Sequence, residues 1–405
     1  GAVTCTQPAR TDIINGAIPA AGVSTDTALA ELDTVMDNLM AAQTTLGWNG
    51  LLPFMKVQPL AKATNRIGLI DNANLSQSIA AMIGGLERAT LNAAQQAAAL
   101  DIIAHAETYL DNQLAGYLML VHPVLAQFWA SVDSVNGAFQ GMIDRFAVES
   151  RGAVLFLFTL YPELSTLMAK KLPVVIQNYE TQDGSTNIGN LIPFHGSAFQ
   201  MFWPLLRNDE RVDAEMRTAL HNFFVSQADY AAHLKLPGFV SATQLPSDGY
   251  FGDVGVPGLA EPEALENLLT DLGSPSALAA AYRIAPFEVL TWLHAIETQL
   301  PALKGKYGFF ASARSMTEVA DRFFAIDIGA TVLGIQGKGP EDFEEFLRRR
   351  GLEAAYYNLY DSYVLDLTRT SVPIPNPPTF PTQSLAVFDH IAGESTTGFP
   401  PGSTP

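Results

Sequence analysis

The chain is short of cysteine, of positive charge and of long apolar runs. Its 405 residues include one cysteine, Cys5, so no disulfide can form within the chain. The 23 lysine and arginine residues are outnumbered by 41 aspartate and glutamate residues, which gives a net charge of −18. This balance argues against nucleic acid or anionic membranes as partners, because both are bound through basic patches. No apolar run reaches the roughly 18 residues that a membrane span needs.

Signatures of several common catalytic centres are missing as well. The seven histidines show no ligand spacing such as His-x-x-x-His, and with one cysteine we expect no zinc site. There is no Gly-x-Ser-x-Gly elbow, no phosphate loop and no nucleotide-binding glycine pattern. The sequence therefore predicts neither a bound metal nor a cofactor.

Apolar residues make up 48% of the chain and charged residues 16%. Low charge together with abundant Ala, Gly, Ser and Thr suits a protein that works outside the cytoplasm, so we expect it to be secreted or periplasmic. Cys5 then has two explanations. It is the remnant of a lipid-attachment site, which would make the protein a lipoprotein, or it is an incidental exposed thiol.

Apolar residues recur at helical spacing through most of the chain. The pattern predicts one all-α domain over residues 24–370, between an N-terminal extension (1–23) and a proline-rich tail (371–405). Residues 178–190 are polar and contain glycine, which favours a loop. The predicted helices cover residues 25–45, 75–86, 91–113, 152–161, 162–171, 195–206, 212–234, 261–271, 286–299, 330–336 and 340–360.

The segment Phe194–Leu206 is dense in apolar and aromatic residues and carries few polar groups. A segment this apolar will be buried, so Gln200 needs hydrogen-bond partners or a ligand. The residues alone leave open a core helix with a satisfied amide and a ligand site.

This segment resembles the Gly-Ser-Met-Phe-Glu-Tyr-Leu-Met-Pro motif of the bacterial glucoamylase-like family, which includes endo-β-1,2-glucanases. Other motifs of that family follow in the same order across about residues 47–337. They are Gly47–Pro53, Gly68–Leu75, Glu149–Gly152, Asp248–Tyr250, Ala285–Glu288, Lys306–Phe310 and Phe324–Gly329.

The resemblance implies an (α/α)6 barrel, or toroid, with long functional loops and a sugar cleft at one end. It implies a glycoside hydrolase that cuts a β-glucan, most simply β-1,2-linked, inside the chain with inversion. It makes Asp71 and Asp327 the surviving catalytic carboxylates, with Gln200 standing where the family has a catalytic-site Glu. The residues alone explain Asp71, Asn72 and Asn74 equally well as N-caps of a helix that starts near Leu75, and Asp327 as a buried hydrogen-bond anchor. The implied substrate-binding residues are Trp48, Asn49, Asn72, Glu149, His195, Asp248, Tyr250 and Tyr307.

The glutamine matters because an amide binds sugar by hydrogen bonds but cannot donate an acidic proton. Three explanations stay open: an engineered block of an enzyme, a natural loss that leaves a sugar-binding protein, or transfer of the acid role to Asp71, Asp248 or Glu149. The rival to a hydrolase is thus a catalytically silent carbohydrate-binding protein. An (α/α)6 lyase is a third possibility, and its unsaturated product would absorb in the ultraviolet.

Overall fold

The computed structural model describes residues 10–16, 22–56, 61–167, 172–247, 249–314, 318–320 and 322–380. Most of these residues are helical. In chain order the α-helices are α1 Thr25–Thr45, α2 Leu69–Arg88, α3 Ala93–Asp111, α4 Leu114–Met119, α5 Arg151–Leu160, α6 Pro162–Leu167, α7 Ala198–Phe202, α8 Ala214–Leu234, α9 Pro275–Ala280, α10 Pro286–Gln299, α11 Ala325–Ile335, α12 Gly339–Arg349 and α13 Glu353–Asp361. Short 3₁₀ turns cover Trp203–Leu206, Glu210–Val212, Pro257–Leu259, Pro262–Asn267 and Pro301–Leu303.

The strands are two to five residues long and lie in the segments that connect the helices. They are β1 Met55–Lys56, β2 Ala61–Lys62, β3 Arg66–Gly68, β4 Trp129–Asp133, β5 Phe139–Met142, β6 Ile176–Glu180, β7 Asn187–Leu191, β8 Phe239–Val240, β9 Thr243–Gln244, β10 Tyr250–Phe251, β11 Leu272–Ser274, β12 Lys304–Gly305, β13 Gly308–Phe309, β14 Ala313–Arg314 and β15 Glu318–Val319. All strand pairs are antiparallel, and the larger sheets have the orders β3-β4-β5 and β15-β14-β11-β8.

Local capping explains where the regular helices begin. Ser24 accepts a hydrogen bond from the Thr27 backbone N–H at the start of α1, and Asp213 accepts one from Met216 N–H at the start of α8. Asn92 opens α3 with a complete capping box. Such caps satisfy N–H groups that have no partner inside the helix. The predicted bounds of α1 and α10 agree with the structure, and those of α3 and α8 differ by only two residues at an end.

Other predicted elements need correction. Helix α2 begins at Leu69 instead of near Leu75, with Gly68 as its N-cap, so residues 71–74 lie within the helix. The predicted loop over 178–190 is largely the β6–β7 hairpin. The long helix predicted over 340–360 is two helices, α12 and α13, separated at Gly351, whose φ of +66° is left-handed. The helix predicted over 195–206 is the short α7 followed by a 3₁₀ turn.

One hydrophobic core runs through the helices, and α2 is almost wholly buried in it. Helix α2 packs against α3, α5 and α12, while α9 packs against α7, α10 and α11. Within the described part of the chain, no helix combines the length and apolar character needed to cross a membrane. The stretch before residue 381 continues along the helices, and Phe380 is buried there with its N–H bonded to Gln299.

Two glycines let α2 approach α12 closely. A Cβ on Gly84 would lie 1.9 Å from the backbone oxygen of Asp342, and one on Gly85 would lie 2.8 Å from Oδ2 of the same residue. Because a backbone atom cannot swing aside, we expect Gly84→Ala to lower the free energy of unfolding by at least about 2 kcal/mol in urea denaturation. Ala97→Ser, on an exposed position of α3, serves as the control and should change it by less than about 0.5 kcal/mol. Equal losses in the two variants would contradict this close approach.

Candidate active site

Three carboxyl groups from distant parts of the chain interact electrostatically with Tyr250. The negative charges of Glu149, Asp327 and Asp71 all act on its phenol and, after burial, help to raise its pKa to about 12. Tyr250 nevertheless keeps 53% of its surface exposed to solvent. These four residues, all named by the sequence, are therefore close enough to interact, and we take the surface around Tyr250 as the candidate cleft.

Asp71 lies in the first turn of α2. Burial raises the pKa of its carboxyl, and the positive charge of Arg66 opposes part of that effect. Gly68 leaves room for this side chain, because a Cβ at residue 68 would lie 3.1 Å from Asp71 Oδ2 and 3.5 Å from the Phe54 ring. The first turn of a helix favours a negative charge. Asp71 is thus a helix residue that faces the cleft and not the cap of a helix that begins later.

Asp327 lies in the first turn of α11 and is held by two hydroxyl groups. Ser276 Oγ donates to Oδ1 at 3.1 Å, and Thr243 Oγ1 donates to Oδ2 at 3.3 Å. Burial raises the pKa of Asp327 to about 7, while these two hydrogen bonds act in the opposite direction. A small cavity beside the carboxyl is lined by Phe199 and Trp203 among others. The carboxyl is therefore positioned from three elements and titrates near neutrality.

Glu149 stands immediately before the buried start of α5. Burial raises the pKa of its carboxyl, and the negative charge of Asp71 raises it further. Oε2 is fully enclosed and has no hydrogen-bond partner among the described residues. A carboxyl group in this setting favours its protonated form.

The side-chain oxygen of Gln200 is hydrogen-bonded within its own segment of the chain. Oε1 accepts a hydrogen bond from the His195 backbone N–H at 3.2 Å, and the Gln200 carbonyl accepts one from Arg151 Nη1 at 3.1 Å. The side chain of His195 turns to Asp253, with Nε2 at 3.1 Å from Oδ1. Burial lowers the pKa of His195, and Asp253 opposes that shift. His195 is thus paired with a carboxylate outside the group around Tyr250.

The other predicted sugar contacts are spread more widely. Asn72 is buried, and its amide donates to the carbonyls of Leu52 and Gly68 and accepts from the Leu52 N–H, so it has no N–H left for a ligand. Asn49 has a left-handed φ of +47° and contacts Met119.

Two of the predicted aromatic contacts differ in exposure, and one acidic position is not described. Trp48 packs partly against the core. Tyr307 is 59% exposed in the β12–β13 turn and packs edge-on against Phe323. Asp248 lies outside the described residues, as does Cys5.

Residues that the sequence did not single out complete the site. Phe54 is 40% exposed and its ring lies beside Gly68, in the place that Asp71 also faces. Ser276 and Thr243 hold Asp327. Phe54 directly follows the Gly47–Pro53 motif, and this position was the only feature of the sequence that could have pointed to it. The hydroxyls come from segments that only the folded chain brings together.

A separate group of possible metal ligands lies on α1 and α3. The ligand atoms of Asp33, Asp37 and His105 all lie within 4.8 Å of one another, and the latter two side chains are largely exposed. Neither helix carries a residue of the carboxylate group around Tyr250. Exposed acidic side chains of this kind are common without an ion, so the group adds nothing to the chemistry of the cleft.

Solved structures of other proteins share this fold. An endo-β-1,2-glucanase from Talaromyces funiculosus, in complex with sophorose, superposes with a TM-score of 0.81 and 15% identity over 94% of this chain and 84% of that one. A mutant of that enzyme with glutamine in place of a glutamate, in complex with β-1,2-glucan, gives 0.81 and 16% identity over 95% and 84%. A glucoamylase-like protein from Bacteroides caccae gives 0.65 and 13% identity over 88% and 87%.

A scan against protein-family models and a search of curated proteins each find no match to this chain. At the identities given above, the structural likeness establishes the fold. The predicted all-α (α/α)6 toroid is confirmed, and so, at the level of the fold, is the resemblance to endo-β-1,2-glucanases and glucoamylase-like proteins.

Proposed function

We propose that this chain, which has the (α/α)6 fold of the endo-β-1,2-glucanases, is a glycoside hydrolase that cuts β-glucan inside the chain. The observation that carries the proposal is the carboxyl of Asp327, which two hydroxyl groups hold beside a small cavity, with the charges of Asp71 and Glu149 acting on the same neighbour, Tyr250. Hydrolysis of a glycosidic bond needs one carboxylic acid and one carboxylate on opposite sides of that bond. The neighbours crystallised with sophorose and β-1,2-glucan support the β-1,2 linkage.

Asp327 is the candidate general base. Two hydroxyl donors stabilise its ionised form and fix the carboxylate in one orientation. A base whose pKa lies near 7 is ionised often enough at neutral pH and still accepts a proton readily. It would take a proton from the attacking water, which gives inversion at the anomeric carbon.

The hydroxyl of Ser276 should set the acidic side of the pH profile. Its hydrogen bond lowers the pKa of Asp327, so Ser276→Ala raises that pKa and leaves less of the base ionised. A base loses activity as pH falls through its pKa, so we expect kcat/KM on β-1,2-glucan at pH 6 to drop about fivefold, from the loss of about 1 kcal/mol. Thr298→Ala on α10, whose hydroxyl bonds only backbone carbonyls, is the control. An acidic limb that stays in place would exclude this role for Ser276.

Aromatic rings at the same place suit a sugar chain. Tyr250 and Phe54 both present exposed ring surface. The Phe54 ring and Asp71 both lie beside Gly68, and the charge of Asp71 also acts on Tyr250. Aromatic faces offer apolar area to the C–H groups of a pyranose at low entropic cost. We assign these rings to the binding of glucose units that flank the cleaved bond.

A carbohydrate-binding protein without turnover is the second candidate, and Gln200 favours it. In the Talaromyces structure, an enzyme with glutamine in place of a glutamate holds β-1,2-glucan. Replacement of a glutamate by an amide is therefore compatible with glucan binding in a protein of this fold, and the Gln200 amide can likewise hydrogen-bond a sugar.

Product analysis separates the two candidates. The chain is incubated with β-1,2-, β-1,3-, β-1,4- and α-linked glucans, and products are identified by mass spectrometry beside calorimetric binding measurements. A hydrolase gives a ladder of β-1,2-linked oligosaccharides from the first polymer, with little from the others. Tight binding without products would select the binding protein, and neither binding nor products would overturn the β-glucan assignment.

A further inference from the structure

A hydrolase with Gln200 where an acidic residue is expected needs another source for the proton that the leaving oxygen takes up. The Gln200 amide carries no acidic proton, and its Oε1 already accepts from His195 N–H. The described cleft offers three carboxyl groups, and Asp327 is held as a carboxylate by two hydroxyl donors. The choice therefore lies between Glu149 and Asp71.

The surroundings of Glu149 favour a carboxylic acid over a carboxylate. Oε2 is enclosed, with no hydrogen-bond partner among the described residues to stabilise a negative charge there. Burial is the largest effect on its pKa and raises it, as does the charge of Asp71 on α2. A hydrogen bond from its own backbone and the charge of Arg151 on α5 act in the opposite direction. Tyr250, on β10, is the third titratable group that interacts with it.

Arg151 directs its hydrogen bonds to groups other than this carboxyl. Its guanidinium is fully buried and donates to Glu210 Oε1 at 2.8 Å and Oε2 at 2.5 Å. Its other N–H groups bond the carbonyls of Gln200 and Met201. These contacts tie the backbone of Gln200 to Arg151, which lies two residues after Glu149 in the chain. Glu149 is left facing the like charge of Asp71.

Asp71 is exposed to solvent and Glu149 is largely covered by protein. Two interacting carboxyl groups disfavour ionisation of both, so the pair tends to keep one proton over a range of pH. Asp71 is in the first turn of a helix and within reach of the positive charge of Arg66, both of which favour its ionised form. The proton therefore rests on Glu149.

We propose that Glu149 is the general acid of this protein and that Asp71 is the positioning carboxylate that keeps it protonated. This inference rests on the proposed hydrolase function. In the reaction, Glu149 gives its proton to the glycosidic oxygen as the bond from that oxygen to C1 breaks. Water attacks C1 and gives up a proton to Asp327. One water is consumed, and the two side chains regain their starting states by exchanging a proton with solvent.

The test compares two substrates that differ in their need for an acid. β-1,2-Glucan has a poor leaving group, whereas 2,4-dinitrophenyl β-sophoroside has one that departs without protonation. We expect Glu149→Gln to lower kcat/KM on the glucan by about 10²–10⁴-fold and on the aryl sophoroside by less than about fivefold. Asp327→Asn, the matched control, should lower both because both reactions need the base.

Asp71→Asn adds a readout that a merely structural role would not give. Without the neighbouring charge, the pKa of Glu149 falls, so the alkaline limb of the pH profile on β-1,2-glucan moves to lower pH. An acid loses activity as pH rises through its pKa.

Glu149→Asp keeps an acidic proton on a shorter side chain and should retain part of the activity on β-1,2-glucan. It replaces Glu149→Gln in the test if the glutamine variant does not fold.

The outcomes distinguish the two proposals. Equal losses on both substrates in Glu149→Gln, or no loss on either, would overturn the role of Glu149 while the hydrolase function stands. Absence of hydrolysis of both substrates by the unaltered chain would reject the hydrolase function and this inference with it.

Discussion

Replacing Asp327 with Asn lowers kcat on β-1,2-glucan by at least about 10³-fold. General base catalysis is typically worth about 10²–10⁴-fold, and no other described carboxyl is held by the Ser276 and Thr243 hydroxyls. Asparagine keeps the shape of the side chain and can accept one of those hydrogen bonds. Binding of a β-1,2-linked oligosaccharide, measured by calorimetry, should therefore remain within a few-fold of that of the unaltered chain.

The same substitution should cost little stability at pH 8. Burial raises the pKa of Asp327 to about 7, well above the 3.8 of an exposed aspartate. A group whose pKa is raised by folding contributes stability that is present below its unfolded pKa and is lost as pH rises through about 7. At pH 8 the variant removes a buried charge, so we expect the melting temperature to stay within a few degrees.

Asp229→Asn is the matched control for that experiment. Asp229 is also half-buried and accepts hydrogen bonds from a hydroxyl and an N–H, those of Tyr179 and Gln182, but it does not act on Tyr250. Its variant should retain activity. If Asp327→Asn instead unfolds the protein, or keeps full activity, Asp327 belongs to the fold and not to the chemistry.

The largest expected effect on stability comes from Arg151. The ion pair of Arg151 with Glu210 is fully buried, and the Tyr360 hydroxyl also donates to Glu210. Removing one partner leaves a buried charge without compensation, which typically costs about 3–5 kcal/mol. Arg151→Ala should therefore lower the melting temperature by about 10 °C.

Two further variants isolate the cause. Arg348→Ala removes an exposed arginine paired with Glu345 on α12 and should cost less than about 1 kcal/mol. Combining Arg151→Met with Glu210→Leu removes both buried charges and should recover much of the lost stability. If the double variant is as unstable as Arg151→Ala, the loss comes from the carbonyls that Arg151 binds and not from the stranded charge of Glu210.

The regular helices were largely predictable because their signals are local. Ser24 and Asp213 are side-chain caps followed by periodic apolar residues, and both helices begin next to them. The same reasoning placed the start of helix α2 about six residues too late. Its N-cap is Gly68, which has no capping side chain, and the polar residues Asn72 and Asn74 are buried where a cap was expected. Their partners are backbone and side-chain groups far away in sequence, which no local pattern reports.

The carboxylates of the cleft could be named from the sequence, but not their relation to one another. Asp71 and Asp327 stood in recognisable motifs, whereas Glu149 was expected to bind sugar. Its enclosed oxygen and the like charge of Asp71 depend on how α2 meets α5. The hydroxyls of Thr243 and Ser276 reach Asp327 across 84 and 51 residues of chain. Contacts of this kind join residues that are far apart in the chain, so the spacing of residues in the sequence does not predict them.

The central claim is that this chain, with Gln200 in place, hydrolyses β-1,2-glucan. The most direct measurement is a digestion of β-1,2-glucan in water enriched in oxygen-18, followed at once by mass spectrometry of the products. Our account predicts shorter saturated oligosaccharides, each carrying one heavy oxygen at its new reducing end. Unsaturated products without the label would mean a lyase, and an intact polymer bound to the protein would mean a binding protein; either result would contradict the account.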